Sequence, residues 1–507
     1  MHGKKRYTKI ILLAISSLIL LGLIYGTVKA NASSCMGVSL ISEGELQNII
    51  DMPEEIGNII SVKDHLLPYD EENNRLYIPC VADETTRYCD LQGKMESVLP
   101  EYQLYFLEDS IFDILSEAVK YSYEFQLYAV NSSGSYQKYQ VVFTTLPMME
   151  MHGEVTGIDD RNREIYSGKI TVWEPQKDTG VVRVQDSIVE WHDRGYSSMS
   201  FQKKSQKISL KKENGENNHL SLIGLSKDDD YILNPMWFDD IKVREKLAME
   251  LWNEIAEENN SSLKMSEGEY CELVVNGEYQ GLRLLQNRIE RSYLKLDEDD
   301  ILLKGKNVNV GSGNCPEDVY EIIYAADTDA AYEIMRDFFY ETDFSMLNLE
   351  NWIDVQLFLQ LGNMVDNHYY KNIYYVIERD AQETISLIPW DTDMSFGIYW
   401  EDGFRYLPES VNEISYRMEY SSLKEQYPQL QDEMRIRWQE LRKSIFSEEH
   451  LIEKIEAYED ILYTSGALKR DYKVLGWNSW GGEDTIENLK GYIERRLEIL
   501  DENYMLQ

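Results

Sequence analysis

Proline is scarce, with 11 in 507 residues, and there are only five cysteines, seven histidines, and 50 Lys plus Arg against 90 Asp plus Glu. Each shortage excludes something. So little proline, beside 29 Gly, rules out a collagen-like or low-complexity chain. A net charge of -40 argues against a nucleic-acid partner, because holding a phosphate backbone needs a basic footprint. No CxxC pair occurs, which removes zinc-ribbon and thioredoxin-like arrangements. Neither HExxH nor GxSxG is present, and His192 and His368 fall in no metal spacing, so both read as structural. What is there, 43% hydrophobic and 12% aromatic residues over a length worth about three domain-sized units, is a folded protein with room for a sizeable core.

The first 32 residues contain no acidic side chain. Lys4, Lys5, Arg6 and Lys9 precede an apolar stretch from Ile10 to Ile24, and Ala30-Asn31-Ala32 offers a small-x-small cleavage site. This is an export signature, either a signal peptide or a membrane anchor over residues 1–32. It predicts an extracytoplasmic protein, secreted or anchored at the cell surface, touching membrane through this segment if it stays uncleaved. Cys35 lies too far beyond the apolar run for a lipid anchor. In an exported chain Cys80 and Cys89 have the short separation and strand-like flanks of a local disulfide, with free buried thiols as the alternative.

Residues 38–148 read as short apolar or alternating runs, such as Leu76 to Ile78, Tyr102 to Phe106, Tyr123 to Val130 and Tyr139 to Phe143, separated by polar turns. They predict a β-rich module, a sandwich being one form it can take, with a helical candidate at Ser110 to Tyr121. No repeat or low-complexity linker interrupts it. From residue 149 the texture is α plus β. Ile241, Val243, Leu247, Ala248, Leu251 and Ile255 have helical spacing, and Arg244, Glu245 and Glu250 on that helix are expected in surface i,i+4 pairs, unless one acid reaches Lys204. Cys271 to Leu285 reads as two strands turned at Asn276-Gly277. A helix near Leu347 to Val365 precedes a second hairpin, Ile373 to Ile377 and Thr384 to Ile388, and from Ser421 the chain is mainly helical. Lys304-Gly305-Lys306 before Gly311-Ser312-Gly313 lacks P-loop spacing and reads as a connection. Trp477 and Trp480 read as buried aromatics rather than a carbohydrate or peptide surface.

The second hairpin carries the chemistry. Its two ends must meet, so Asp366 and Asn372 are expected beside Asp391 and Asp393. Three carboxylates and an amide are hard oxygen ligands, suited to magnesium or manganese holding phosphates. The alternative is a solvated acidic loop, common in so acidic a chain. Five lysines crowd Phe201 to Lys212. Alternation puts Lys204, Ile208 and Leu210 on one face, so Lys204 is expected to point coreward and to need a phosphate or carboxylate partner. A basic edge strand is the other reading.

Four stretches taken together resemble a known family: Arg194-Gly195-Tyr196-Ser197-Ser198 followed by Lys203-Lys204-Ser205; Val275-Asn276-Gly277-Glu278-Tyr279-Gln280-Gly281; Asp366 through Lys371-Asn372-Ile373-Tyr374-Tyr375; and Ile388-Pro389-Trp390-Asp391-Thr392-Asp393-Met394-Ser395-Phe396-Gly397. In this order they are similar to the spore coat protein H family, the atypical CotH-type protein kinases, over about residues 150–505 of this chain. The resemblance implies an α+β, two-lobed kinase-like domain at 149–507, with ATP and Mg or Mn in the cleft. It implies Lys204 and Arg194 on the nucleotide, Asp366 as catalytic base or orienter, and Asn372, Asp391 and Asp393 on the metal. Where the family usually has an acidic residue after the second stretch, this chain has Gln286-Asn287-Arg288. The expected function is transfer of the ATP γ-phosphate to Ser or Thr of a cell-envelope or coat protein, one basic and Ser/Thr-rich given the enzyme's acidity. The alternative is a non-catalytic surface structural or adhesion protein that retains the fold.

Overall fold

A computed structural model describes residues 34–505 apart from 87–92, 109–113, 196, 307–314, 339–341, 369, 380–382, 399–411, 413 and 476–483. The export segment 1–32, Cys89, Gly311-Ser312-Gly313, Trp477 and Trp480 lie outside the described residues. No helix among the described residues is long and apolar enough to cross a membrane.

The fold is mixed α and β, built from four sheets and a set of helices. Residues 34–144 supply a seven-stranded sheet, and a three-stranded sheet that includes Ile60–Val62 packs into the same apolar core. The only helix of the expected Ser110 to Tyr121 stretch within the described residues is Leu115–Lys120. Cys80 is a free, buried thiol, pushed up to about 12 by burial, and Cys271 is likewise buried and free.

Three residues after strand Tyr136–Thr144 the chain enters a seven-stranded closed barrel. Its strands are Met148–Ile158, Glu164–Gln176, Val181–Arg194, Ser205–Lys211, Asp230–Asn234, Glu278–Asn287 and Gly268–Val275, in that spatial order. Closure comes from a parallel pairing of first and last, with Met148 opposite Glu272. Alternation inside the strands sends Ile208 and Leu210 into the barrel core, as period 2 requires. Asn276 and Gly277 take φ of 48° and 78° at the tip of the Gly268–Val275 and Glu278–Asn287 hairpin. A two-residue turn needs this left-handed geometry, which Asn-Gly supplies at least cost. A four-stranded sheet follows, Tyr320–Tyr324, Ile301–Gly305, Ile373–Glu378 and Thr384–Pro389 in spatial order, backed by helix Leu349–Gly362.

Helix Arg244–Glu258 starts three residues later than its spacing predicts, and its charges differ from expectation. Asp239 accepts the N–H groups of Val243 and Arg244, both at 2.7 Å, which fixes the start. Arg244 and Glu245 are buried rather than on the surface, while Glu250 does form the i,i+4 pair, with Lys246 at 3.0 Å. The apolar face reads correctly, but the first turn is sunk against later parts of the chain that spacing alone does not reveal.

Helix Ala467–Leu475 ties the parts together. Arg470 donates to both Glu272 carboxylate oxygens at 2.7 Å and to Ser122 and Thr144, so one guanidinium joins the seven-stranded sheet, the barrel and the helix. One residue on, Asp471 accepts from Lys203 Nζ at 2.6 Å and from the Leu282 N–H at 2.9 Å. Gly281 leaves room for it: a Cβ there would meet Asp471 Oδ1 at 2.1 Å. The glycine of the second motif is therefore a close-approach position. Removing one partner of a fully buried pair strands the other charge. Asp471→Ala is expected to cost about 3–5 kcal/mol, read as a lowered denaturation midpoint with an unchanged slope.

Candidate functional site

The second hairpin closes as antiparallel pairing demands, with Ile373 opposite Pro389 and the Trp390 N–H donating to Asn372 O at 2.9 Å. Asn367, fully buried, locks the two ends by donating to Asn372 O and Trp390 O at 2.9 and 2.7 Å. Asp366, in the 3₁₀ turn Val365–Asn367, accepts from Asn372 Nδ2 at 2.8 Å and pairs with Lys371 at 2.6 Å. Asn372 and Asp391 both have left-handed backbones, φ of 60° and 56°. Asn and Asp tolerate that region best among residues with a side chain, and such geometry concentrates at functional sites.

Asp391 is exposed into the cleft and Asp393 half-buried. The strand ends at Pro389, so strand alternation does not set which way the two aspartates point. They are nonetheless close. Burial holds the Asp393 carboxyl well above the usual carboxylate range, and Asp391, Glu245 and Asp366 add like-charge repulsion. Glu245 arrives from the first turn of helix Arg244–Glu258. Gln286 Nε2 donates to it at 2.9 Å and Asn234 Nδ2 at 2.7 Å. Burial pushes its carboxyl up to about 7, with Asp391 adding to the shift, while Gln286, Asn234 and Arg194 oppose it. A helix thus brings a carboxylate against Gln286 of strand Glu278–Asn287.

Three cations face this acidic set. Arg194, at the end of strand Val181–Arg194, is half-buried and donates to Ser205 Oγ at 3.4 Å. Burial lowers its pKa, opposed chiefly by Asp391. Arg288 is held by Asp230 and Glu290 at 2.7 and 2.6 Å. Lys304 belongs to strand Ile301–Gly305 rather than to the connection expected at Lys304-Gly305-Lys306.

Lys204 does not occupy the expected position. The strand begins at Ser205, so the period-2 argument stops short of it. Its side chain is half-exposed at 39% and pairs with Asp193 at 3.1 Å. The buried lysine is Lys203, whose ammonium is committed to Asp471 and Leu282 O. His368 is structural, its ring nitrogens 2.8 and 3.1 Å from Met364 O and Ser415 O; His192 Nδ1 lies 2.8 Å from Asp193 O.

Among the described residues, the trio whose ligand atoms all fall within 4.8 Å of one another is His219, Asp228 and Asp229. The cleft aspartates do not form so close a set. Wider carboxylates fit an ion that keeps several waters and shares its shell with substrate phosphates, the habit of Mg²⁺, better than a caged one.

Glu245 gives a pH signature. Its folded pKa of about 7 lies above its ordinary 4.5, so between those values the folded state holds more protons and stability falls as pH rises. Glu245→Gln imitates the protonated form. Its melting temperature relative to the parent is expected to climb between about pH 4.5 and 7 and then level, by the equivalent of roughly 1–3 kcal/mol; a difference flat across that range would refute the assignment.

No curated protein matches this chain. The family model described as CotH kinase protein matches residues 192–500, more than half of the sequence and all of the site just described. With the barrel strands from Ser205 onward, the helix carrying Glu245 and the aspartate-bearing hairpin inside the matched region, the chain belongs to the CotH kinase protein family.

Proposed function

We propose that the protein is an exported atypical kinase that transfers the ATP γ-phosphate to Ser or Thr of a cell-envelope or coat protein. The observation that carries this reading is one cleft in which Asp366, Asn372, Asp391 and Asp393 stand opposite Arg194, a cation with no ion pair among the described residues. Acidic and basic groups held apart in this way suit a polyanion with a metal counter-ion. Phosphoryl transfer asks for positioning and neutralisation of charge rather than covalent chemistry.

In this reading Asn372, Asp391 and Asp393 hold Mg²⁺ or Mn²⁺, which supplies charge neutralisation on the phosphates. Arg194 binds phosphate oxygens from the barrel wall. Asp366, its carboxylate oriented by Lys371 and Asn372, accepts the hydrogen bond of the attacking hydroxyl. Lys204 stays at the lip, paired to Asp193. The export signature supports placement outside the cytoplasm, with membrane contact through residues 1–32 if they are retained. The net charge of -40 supports a basic, Ser/Thr-rich protein substrate drawn in by long-range attraction.

The test is transfer of labelled γ-phosphate from ATP, with Mg²⁺ or Mn²⁺, to a basic Ser-rich protein. Transfer is expected, falling at least about a hundredfold in Asp391→Ala without loss of melting temperature, and weakening as ionic strength rises. No transfer together with no metal-dependent ATP binding would favour a surface protein that works by contact alone.

A further inference from the structure

Lys304 lies near Arg194 and Asp391 with no ion pair among the described residues. Its strand pairs with both neighbours, placing Lys304 opposite Tyr374 on one side and Glu321 on the other. The ammonium lies over two rings, 5.5 Å from the Tyr374 centroid and 5.4 Å from that of Trp390, and those rings meet edge-on at 5.8 Å. Trp390 is the residue before Asp391, and Tyr374 the second after Asn372. Among the described residues no ion pair and no hydrogen bond reaches Lys304 Nζ. Burial lowers the ammonium to about 8, Arg194 adds to the shift, and Asp391 and Glu321 oppose it. Lysines buried among the described residues contrast with it: Lys203 holds Asp471, Lys242 donates to Met236 O, and Lys246 holds Glu250 and Glu269. A cation held by aromatic faces beside an arginine, open to a cleft and without an acceptor, is arranged for an anion that arrives from outside.

We infer that Lys304 is a phosphate-gripping residue of this cleft, binding the nucleoside polyphosphate together with Arg194 in the role that the family resemblance implies for Lys204. The inference rests on the kinase reading for its ligand and on the cleft geometry for its residue. Lys304 binds by charge and hydrogen bonding, and no covalent step is involved. Because its ammonium has no ion-pair partner among the described residues and rests only on two aromatic faces, removing it strands no counter-charge, so the substitution tests binding rather than folding.

The experiment is calorimetric titration of the full chain with ATP plus Mg²⁺, with pyrophosphate and with adenosine, in the parent protein and in Lys304→Met, Lys304→Arg and Lys204→Met. Lys304→Met is expected to weaken ATP and pyrophosphate by about tenfold to a hundredfold, the scale of a lost charge-assisted contact. It should leave adenosine affinity and melting temperature unchanged. Lys304→Arg should restore most of the loss, and Lys204→Met should stay within about twofold of the parent. ATP affinity in Lys304→Met within about twofold of the parent, or an equal loss for adenosine, would overturn the inference while leaving the kinase reading in place. Lys304-dependent binding of pyrophosphate without any binding of ATP would sink the kinase reading and keep the anion site. If the parent protein binds neither, both fall.

Discussion

Arg244 is 1% exposed and its guanidinium spans two carboxylates, Asp239 at 2.6 Å and Asp484 at 2.8 Å on both terminal nitrogens. Its Nε also donates to Phe396 O at 3.1 Å. One side chain therefore joins the first turn of helix Arg244–Glu258, the end of the Pro389-to-Gly397 motif and the start of the last helix. Glu245, the next residue, is presented to the cleft because Arg244 is anchored. A buried ion pair contributes little net stability compared with apolar packing, but breaking one is costly, so each such pair fixes where its elements sit. With Arg470 on Glu272 and Asp471 on Lys203, the same logic sets the rear of the barrel and the seam with the seven-stranded sheet.

Against this background the cleft is defined by charges that lack such partners. Arg417 is held by Glu419, Asn367 O and Tyr375, and Arg288 by two carboxylates. Among the described residues Arg194 and Lys304 have no such clamp. On the opposite side Asp391 is open, and the Asp393 carboxyl is pushed well up by burial, with neighbouring carboxylates adding to the shift. Among the described residues Arg244, Arg470 and Lys203 are clamped by buried carboxylates, whereas Arg194 and Lys304 have no ion pair. Pre-placed charges in a partly desolvated cleft act more strongly on a ligand than the same groups in water, and need little reorganisation to do so.

The hairpin at Ile373–Glu378 and Thr384–Pro389 was legible because local pairing alone brings its ends together, and with them Asp366, Asn372 and Asp391. The strand alternation that buries Ile208 and Leu210 was legible for the same reason. Lys204 misled because alternation holds only within a strand, and this strand starts one residue later. Glu245 and Arg244 misled in the other direction. Helical spacing marks which face is apolar, but it does not say that a distant Asp484 will cover the first turn. Lys304 sat in plain view as Lys304-Gly305-Lys306 and was read as a connection, because its significance lies in what surrounds it across two neighbouring strands.

By itself the sequence determined the element types, the family motifs and the acidic edge of the site, all of which follow from residue type and short-range spacing. Tertiary structure alone decided which cations face that edge and which are neutralised elsewhere. The physical reason is that secondary structure is specified by neighbours a few residues away, whereas the partner of a buried charge is chosen by packing: Lys203 finds its own 268 residues downstream, and no periodicity reaches so far.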